Sequence, residues 1–159
     1  MFKSTGTIVY DPPRPGMKRR ASGWCVALID REITRYYRWW VDKHVLNPLG
    51  IDNHGSERKY PVPKLCQPSW NAHISIIRGE KWRLTPEQLE KFWGRYQGQK
   101  FDFWYSPEVY SPSKKPDFWM VSVKSPDMIQ IRHELGLPCN WSLHLTVGRT
   151  WIWGDSDDD

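Results

Sequence analysis

Polar and apolar positions along this chain alternate between a period of two and a period near 3.6, and the switches mark out its elements. TGTIVY (residues 5–10) predicts a short strand, and GWCVALID (23–30) an apolar one. Between them DPPRPGMKRRAS (11–22) is proline-rich and basic, which predicts a loop. In REITRYYRWWVDKHV (31–45) the period lengthens, and Ile33, Tyr36, Tyr37, Trp40, Val41 and His44 fall on one helix face, with Asp30 as N-cap. Tyr36, Tyr37 and Trp40 are expected in the core. Residues 47–69 hold scattered prolines, glycines and charges and predict a long loop, followed by the strand WNAHISII (70–77). TPEQLEKFWGRY (85–96) opens with helix grammar: Thr85 as N-cap, Pro86 at the first position, Gln88 at the third. KFDFWYS (100–106) and DFWMVSVK (117–124) predict strands around the turn SPSKKP (111–116). SPDMIQIRHELG (125–136) is a helix capped by Ser125 and stopped by Gly136, and NWSLHLTVGRT (140–150) is a final strand.

From residue 23 onward the order is strand, helix, strand, helix, strand, strand, helix, strand. Two similar strand–helix–strand lobes within one α+β domain are expected. That domain spans residues 1–154, with residues 1–22 as an extra strand and basic loop, and residues 155–159 form a disordered acidic tail.

Two of the strands carry the same device. NAHISIIRG has His73 followed two residues later by Ser75, and SLHLTVGRT has His144 followed by Thr146. Residues two apart on a strand share a face. His73 and Ser75 therefore project together from mid-strand while Ala72, Ile74 and Ile76 face the core. His144 and Thr146 project against Leu143, Leu145 and Val147 in the same way. One histidine and one hydroxyl on a strand carry little meaning, but two matching pairs do. On adjacent strands, one neutral imidazole could take a proton from an attacking oxygen, and the other, protonated, could give one to a leaving oxygen. The hydroxyls could donate to non-bridging phosphate oxygens. No step in that scheme needs a metal or cofactor.

Charge and aromatic content favour an anionic, base-bearing partner. The net charge is +5, and it is +9 without the four aspartates of the tail. Eleven tryptophans exceed what a core of this size needs and offer surfaces for stacking bases. The three cysteines, Cys25, Cys66 and Cys139, are widely spaced, which fits reduced thiols rather than a disulfide framework or zinc site. No apolar run approaches the roughly 18 residues of a membrane span, and no signal segment opens the chain, so a cytoplasmic protein without a membrane or obligate protein partner is expected.

The HIS and HLT motifs at His73–Ser75 and His144–Thr146 resemble those of the two-histidine (2H) phosphoesterase superfamily. The similarity covers roughly residues 23–150 and includes the order of elements. It implies a bilobal fold in which two pseudo-symmetric lobes present antiparallel sheets to a central cleft. It also implies metal-independent phosphodiester chemistry on cyclic nucleotides, 2′–5′ linkages or RNA 2′,3′-cyclic phosphates, with His73, Ser75, His144 and Thr146 catalytic. The compact size and aromatic excess are similar to the branch of phage anti-CBASS nucleases. These destroy cyclic di- and trinucleotide immune signals in the host cytoplasm. Residues 1–22 depart from the family pattern, as do Ser75 in place of the commoner threonine and the short stretch after the second motif.

Several residues are candidates for gripping a cyclic oligonucleotide or short RNA. Arg78 and Arg149 each lie five residues after a motif histidine, on the opposite parity if the strands stay regular. A solvated strand-end charge is their plainer role. Lys124 ends a strand, Arg14, Lys18, Arg19 and Arg20 could form a flap, and Tyr10, Trp70, Trp151 and Trp153 could stack a base. His44, His54 and His133 are read as non-catalytic. Outside the enzymes, the rival is an RNA-binding module with a vestigial site.

Overall fold

A computed structural model describes residues 1–13, 21–46, 65–67, 72–112 and 118–149 of the 159. Its elements are β1 (Phe2–Tyr10), β2 (Trp24–Leu28), α1 (Arg31–Val41), β3 (His73–Arg78), α2 (Pro86–Phe92), β4 (Lys100–Tyr110), β5 (Phe118–Lys124), α3 (Pro126–Glu134) and β6 (His144–Arg149). A π-helical turn, Asp42–Leu46, extends α1, and a 3₁₀ turn, Glu80–Arg83, follows β3. The caps read from the sequence form. Asp30 accepts from the Glu32 amide, Thr85 and Gln88 make a reciprocal capping box, and Ser125 accepts from the Met128 amide.

The strands close into one antiparallel barrel in the order β1-β2-β3-β6-β5-β4, with β4 paired back to β1. This replaces the expected bilobal fold with two open sheets. The reason lies in β1, which the sequence presents as an N-terminal addition. It pairs with β2 on one side and β4 on the other, so it satisfies the backbone groups that two separate sheets would leave at their edges.

One face of the barrel wall is apolar. Ile8, Ala27, Ile74, Leu145 and Val121 sit in register across five strands, and each is 0% exposed. Full burial of the Val, Leu and Ile side chains among them contributes roughly 1.5–3 kcal/mol each. Tyr37 and Val41 of α1 and Met128 and Ile131 of α3 complete this core. The buried stripe of α1 is Thr34, Tyr37 and Val41. Tyr36 and Trp40, expected in the core, are 55% and 36% exposed, because the helix is rotated by about one residue from the face its aromatics suggest. The other face of the wall is where His73, Ser75, His144 and Thr146 project.

Candidate active site

His73 and His144 each open a strand rather than sitting in its middle. β3 and β6 are neighbours, with Ile74 opposite Leu145. That antiparallel register sets His73 across from Thr146 and Ser75 across from His144. The four side chains share one face, and the imidazoles lie on a diagonal of the ladder. Diagonal positions are about 7–8 Å apart, within reach of ring-sized side chains. His73 is buried at 8% exposure, and Ser75, His144 and Thr146 are half-buried.

The arginines five residues on do not follow simple alternation. Cys25 pairs with Ile77 but Val26 pairs with Ser75, so Ile76 is an extra residue, a β-bulge in β3. Trp119 pairs with Gly148 but Met120 pairs with Thr146, so Val147 is an extra residue in β6. Both bulges fall three residues after the motif histidine. Each resets the parity of its strand. Arg78 pairs with Trp24, which shares a face with Val26 and hence with Ser75. Arg149 pairs with Phe118, which shares a face with Met120 and hence with Thr146. Both arginines therefore belong to the histidine face, which corrects the opposite parity that regular strands would give.

Each bulge carbonyl is taken by an arginine from a helix. Arg132 of α3 donates through Nη1 to the Ile76 carbonyl at 2.9 Å, and Arg38 of α1 donates through Nη1 to the Val147 carbonyl at 2.9 Å. Arg132 is 0% exposed. It also donates to the Pro138 carbonyl at 2.8 Å and to both carboxylate oxygens of Glu80 at 2.6 and 2.9 Å. The Arg132 hydrogen bond is the main cause that holds the Glu80 carboxyl below its usual range. Beside the β6 bulge, a Cβ at Gly148 would meet the Arg38 stem and Leu65 at 3.0 Å, so any larger residue would push Arg38 or Leu65 back by a few tenths of an ångström.

Arg78 reaches His144. Its Nη2 lies 2.8 Å from Nε2 and 3.3 Å from Nδ1 of the imidazole. One nitrogen this close to both ring nitrogens lies over the face of the imidazole, off the axis of either lone pair. The Arg78 guanidinium also lies over the Trp141 ring, 4.9 Å from its centroid, and Arg132 lies over the same ring at 4.6 Å. Burial first, then the Arg78 charge and the nearby His73, lowers the His144 pKa to about 4, against a smaller raising contribution from a backbone hydrogen bond at Ser142. His144 is therefore neutral at pH 7.

The other candidates separate. Lys124 is exposed and shares the parity of Ser122, which pairs with His144, so it lies on the site face. Its cross-strand partner is Trp104, whose ring holds the Lys3 ammonium at 5.5 Å. Tyr10 is misplaced by the sequence reading: it pairs with Cys25 on the apolar face, is 7% exposed, and packs edge-on against Trp93. Trp70, Trp151, Trp153, His54, the basic loop at Arg14, Lys18, Arg19 and Arg20, and the acidic tail lie outside the described residues. Trp141 and Glu80 went unnoticed in the sequence. One signal for Trp141 was present: a tryptophan stands three residues before each motif histidine, Trp70 and Trp141.

No family model, no curated protein and no solved structure matches this chain. Among the described residues, no helix is long and apolar enough to cross a membrane, and no three His, Cys, Asp or Glu side chains group as metal ligands.

Proposed function

We propose that the protein is a phosphodiesterase of the two-histidine type acting on cyclic di- or trinucleotides, of the kind used by phage to evade host immunity. The observation that supports this is the direct pairing of β3 with β6, which sets His73 and His144 diagonally on one face, each with a hydroxyl across the ladder. His144, neutral at pH 7, is the base and takes the proton of an attacking ribose 2′-OH or water on its unprotonated ring nitrogen. His73 is the acid and gives a proton to the departing 5′ oxygen as the phosphorus–oxygen bond breaks. When a 2′-OH attacks, the products are a 2′,3′-cyclic phosphate and a free 5′-OH. Ser75 and Thr146 donate to the non-bridging oxygens, where charge concentrates during transfer. The cations and rings of the same face, Arg78 with Trp141 and Lys124 with Trp104, suit a phosphate chain carrying bases.

The test is turnover in the presence of chelator, with cyclic dinucleotides, 2′–5′ oligoadenylate and RNA ending in a 2′,3′-cyclic phosphate offered in parallel. Cleavage of the cyclic dinucleotides with H73A and H144A each slowed by about 10²–10⁴-fold is the expected result. Preference for either of the other substrates would move the substrate class while keeping the chemistry. Wild-type rates in both variants would remove the acid–base assignment, and binding of RNA without turnover of any substrate would leave a binding module.

A further inference from the structure

Two lysines on the histidine face play no part in the acid–base scheme. Residues paired across a ladder share a face, so the parity of each strand can be followed around the barrel. His73 pairs with Leu28 and Leu28 with Thr7, which puts Lys3, on the same parity of β1 as Thr7, on the histidine face. The other way round agrees. Lys3 pairs with Trp104, Trp104 with Lys124, and Lys124 shares the parity of Ser122, the partner of His144. Lys124, Trp104 and Lys3 thus stand in one row across β5, β4 and β1. This face is the inner wall. On the apolar face, α1 reaches from Tyr105 and Ser106 of β4 to Val147 of β6, and α3 from Asp102 of β4 to Ile76 of β3. A barrel of so few strands has room inside for side chains alone, so both helices lie outside, and the histidines and the lysine row face inward.

Both lysines are exposed. The Lys3 ammonium is held over the Trp104 ring at 5.5 Å and lies 3.4 Å from the Asp102 carboxylate. Lys124 has no ion-pair partner among the described residues. Two lysines against one aspartate leave the row positive. Arg78 lies on the other side of His144, on β3, against the imidazole. From the backbone of His144, Lys124 is one strand across and two residues along, roughly 8 Å away. The row is therefore a second cationic site, apart from the one at Arg78. Ammoniums on flexible stems act as point charges and suit phosphate oxygens without a fixed fork.

We propose that Lys124 and Lys3 hold a second phosphodiester of the substrate while the scissile one lies at His73 and His144. This rests on the two-histidine reading of the site. It selects substrates with two linked phosphates, cyclic dinucleotides first. A 3′,5′-cyclic mononucleotide has one phosphate and leaves the lysine row unused.

The experiment is equilibrium dialysis of the full chain against a cyclic dinucleotide and the 3′,5′-cyclic mononucleotide of the same base, at low and high salt. H73A serves as the background so that the ligands stay intact, and K3Q, K124Q, the double variant K3Q/K124Q and K124R are compared within it. The background protein should bind the dinucleotide at least about tenfold more tightly than the mononucleotide, an advantage that shrinks as salt rises. K3Q/K124Q should lose at least about tenfold on the dinucleotide and less than about twofold on the mononucleotide. K124Q should account for more of that loss than K3Q, whose ammonium already faces Asp102. K124R keeps the charge and should retain most of the affinity, which a merely structural role for the lysine stem would not require. In a chain with both histidines, K3Q/K124Q should raise KM for the dinucleotide and leave kcat within about twofold. No preference for the dinucleotide, an equal loss on both ligands, or no loss on either would each overturn the inference. Both lysines are exposed, so the variants should melt like their parent. Dialysis does not need turnover. A chain that binds the dinucleotide through its lysines but cleaves no phosphodiester would sink the proposed function and keep the second site. Turnover without the two-phosphate preference would do the reverse.

Discussion

His144 shows most directly how neighbours remake a side chain. In water an imidazole charges near pH 6.5; here burial, Arg78 and His73 bring it to about 4. The sign of the consequence follows from linkage. Above about pH 6.5 the ring is neutral in both the folded and the unfolded chain and contributes no pH dependence. As pH falls from about 6.5 to about 4, the unfolded chain takes up a proton that the folded chain refuses, so stability drops. Below about 4 both forms are charged and the loss levels off, at roughly 3 kcal/mol at most. Denaturant melts of the wild type and H144Q between pH 7 and pH 4 check this: the wild type should lose stability more steeply than the variant. Parallel slopes would mean that His144 is not held neutral.

At the scale of elements, the paired bulges matter more than the strands that carry them. A bulge turns two consecutive residues to one face, and so moves every later side chain across the sheet. Without Ile76 and Val147 as extra residues, Arg78 and Arg149 would lie in the core. Each bulge is held by a helix arginine, and the two differ in burial, with Arg132 at 0% exposure. Replacing Arg132 with methionine should cost about 3–5 kcal/mol, since it strands the Glu80 carboxylate and the Ile76 carbonyl. A urea titration would measure the loss, and a change below about 1 kcal/mol would show that neither group depends on Arg132. The sequence could not display these bulges. NAHISIIR and SLHLTVGR look regular, and the extra residues exist only relative to β2 and β5, their partners in the wall.

For the whole molecule, closure is the decisive feature. β1 occupies the one place where both β2 and β4 need a neighbour. Deleting residues 1–10 should expose two strand edges and produce aggregation or a large loss of melting temperature. Size-exclusion chromatography of that deletion decides the point, since a monomer melting like the wild type would show the barrel to be dispensable. Helices and their caps were legible in the chain because Asp30, Thr85, Pro86, Gln88, Ser125 and Gly136 act on backbone groups only a few residues away. The histidine pairs were legible for the same kind of reason, since alternation along one strand fixes which side chains point together. The exposed side of α1 was not, because Tyr36 and Trp40 are as apolar as Tyr37 and only packing separates them.

By itself, the sequence determined the strand and helix segments, the capped helix starts, and the two histidine–hydroxyl pairs at matching positions, all of which depend on residues close in the chain. The tertiary structure alone decided that β3 lies beside β6, that a strand read as an addition closes a barrel, that Tyr10 is buried, and that Arg78 reaches His144. Those outcomes depend on strand partners and register, set by contacts between residues dozens of positions apart, where local pattern carries no information.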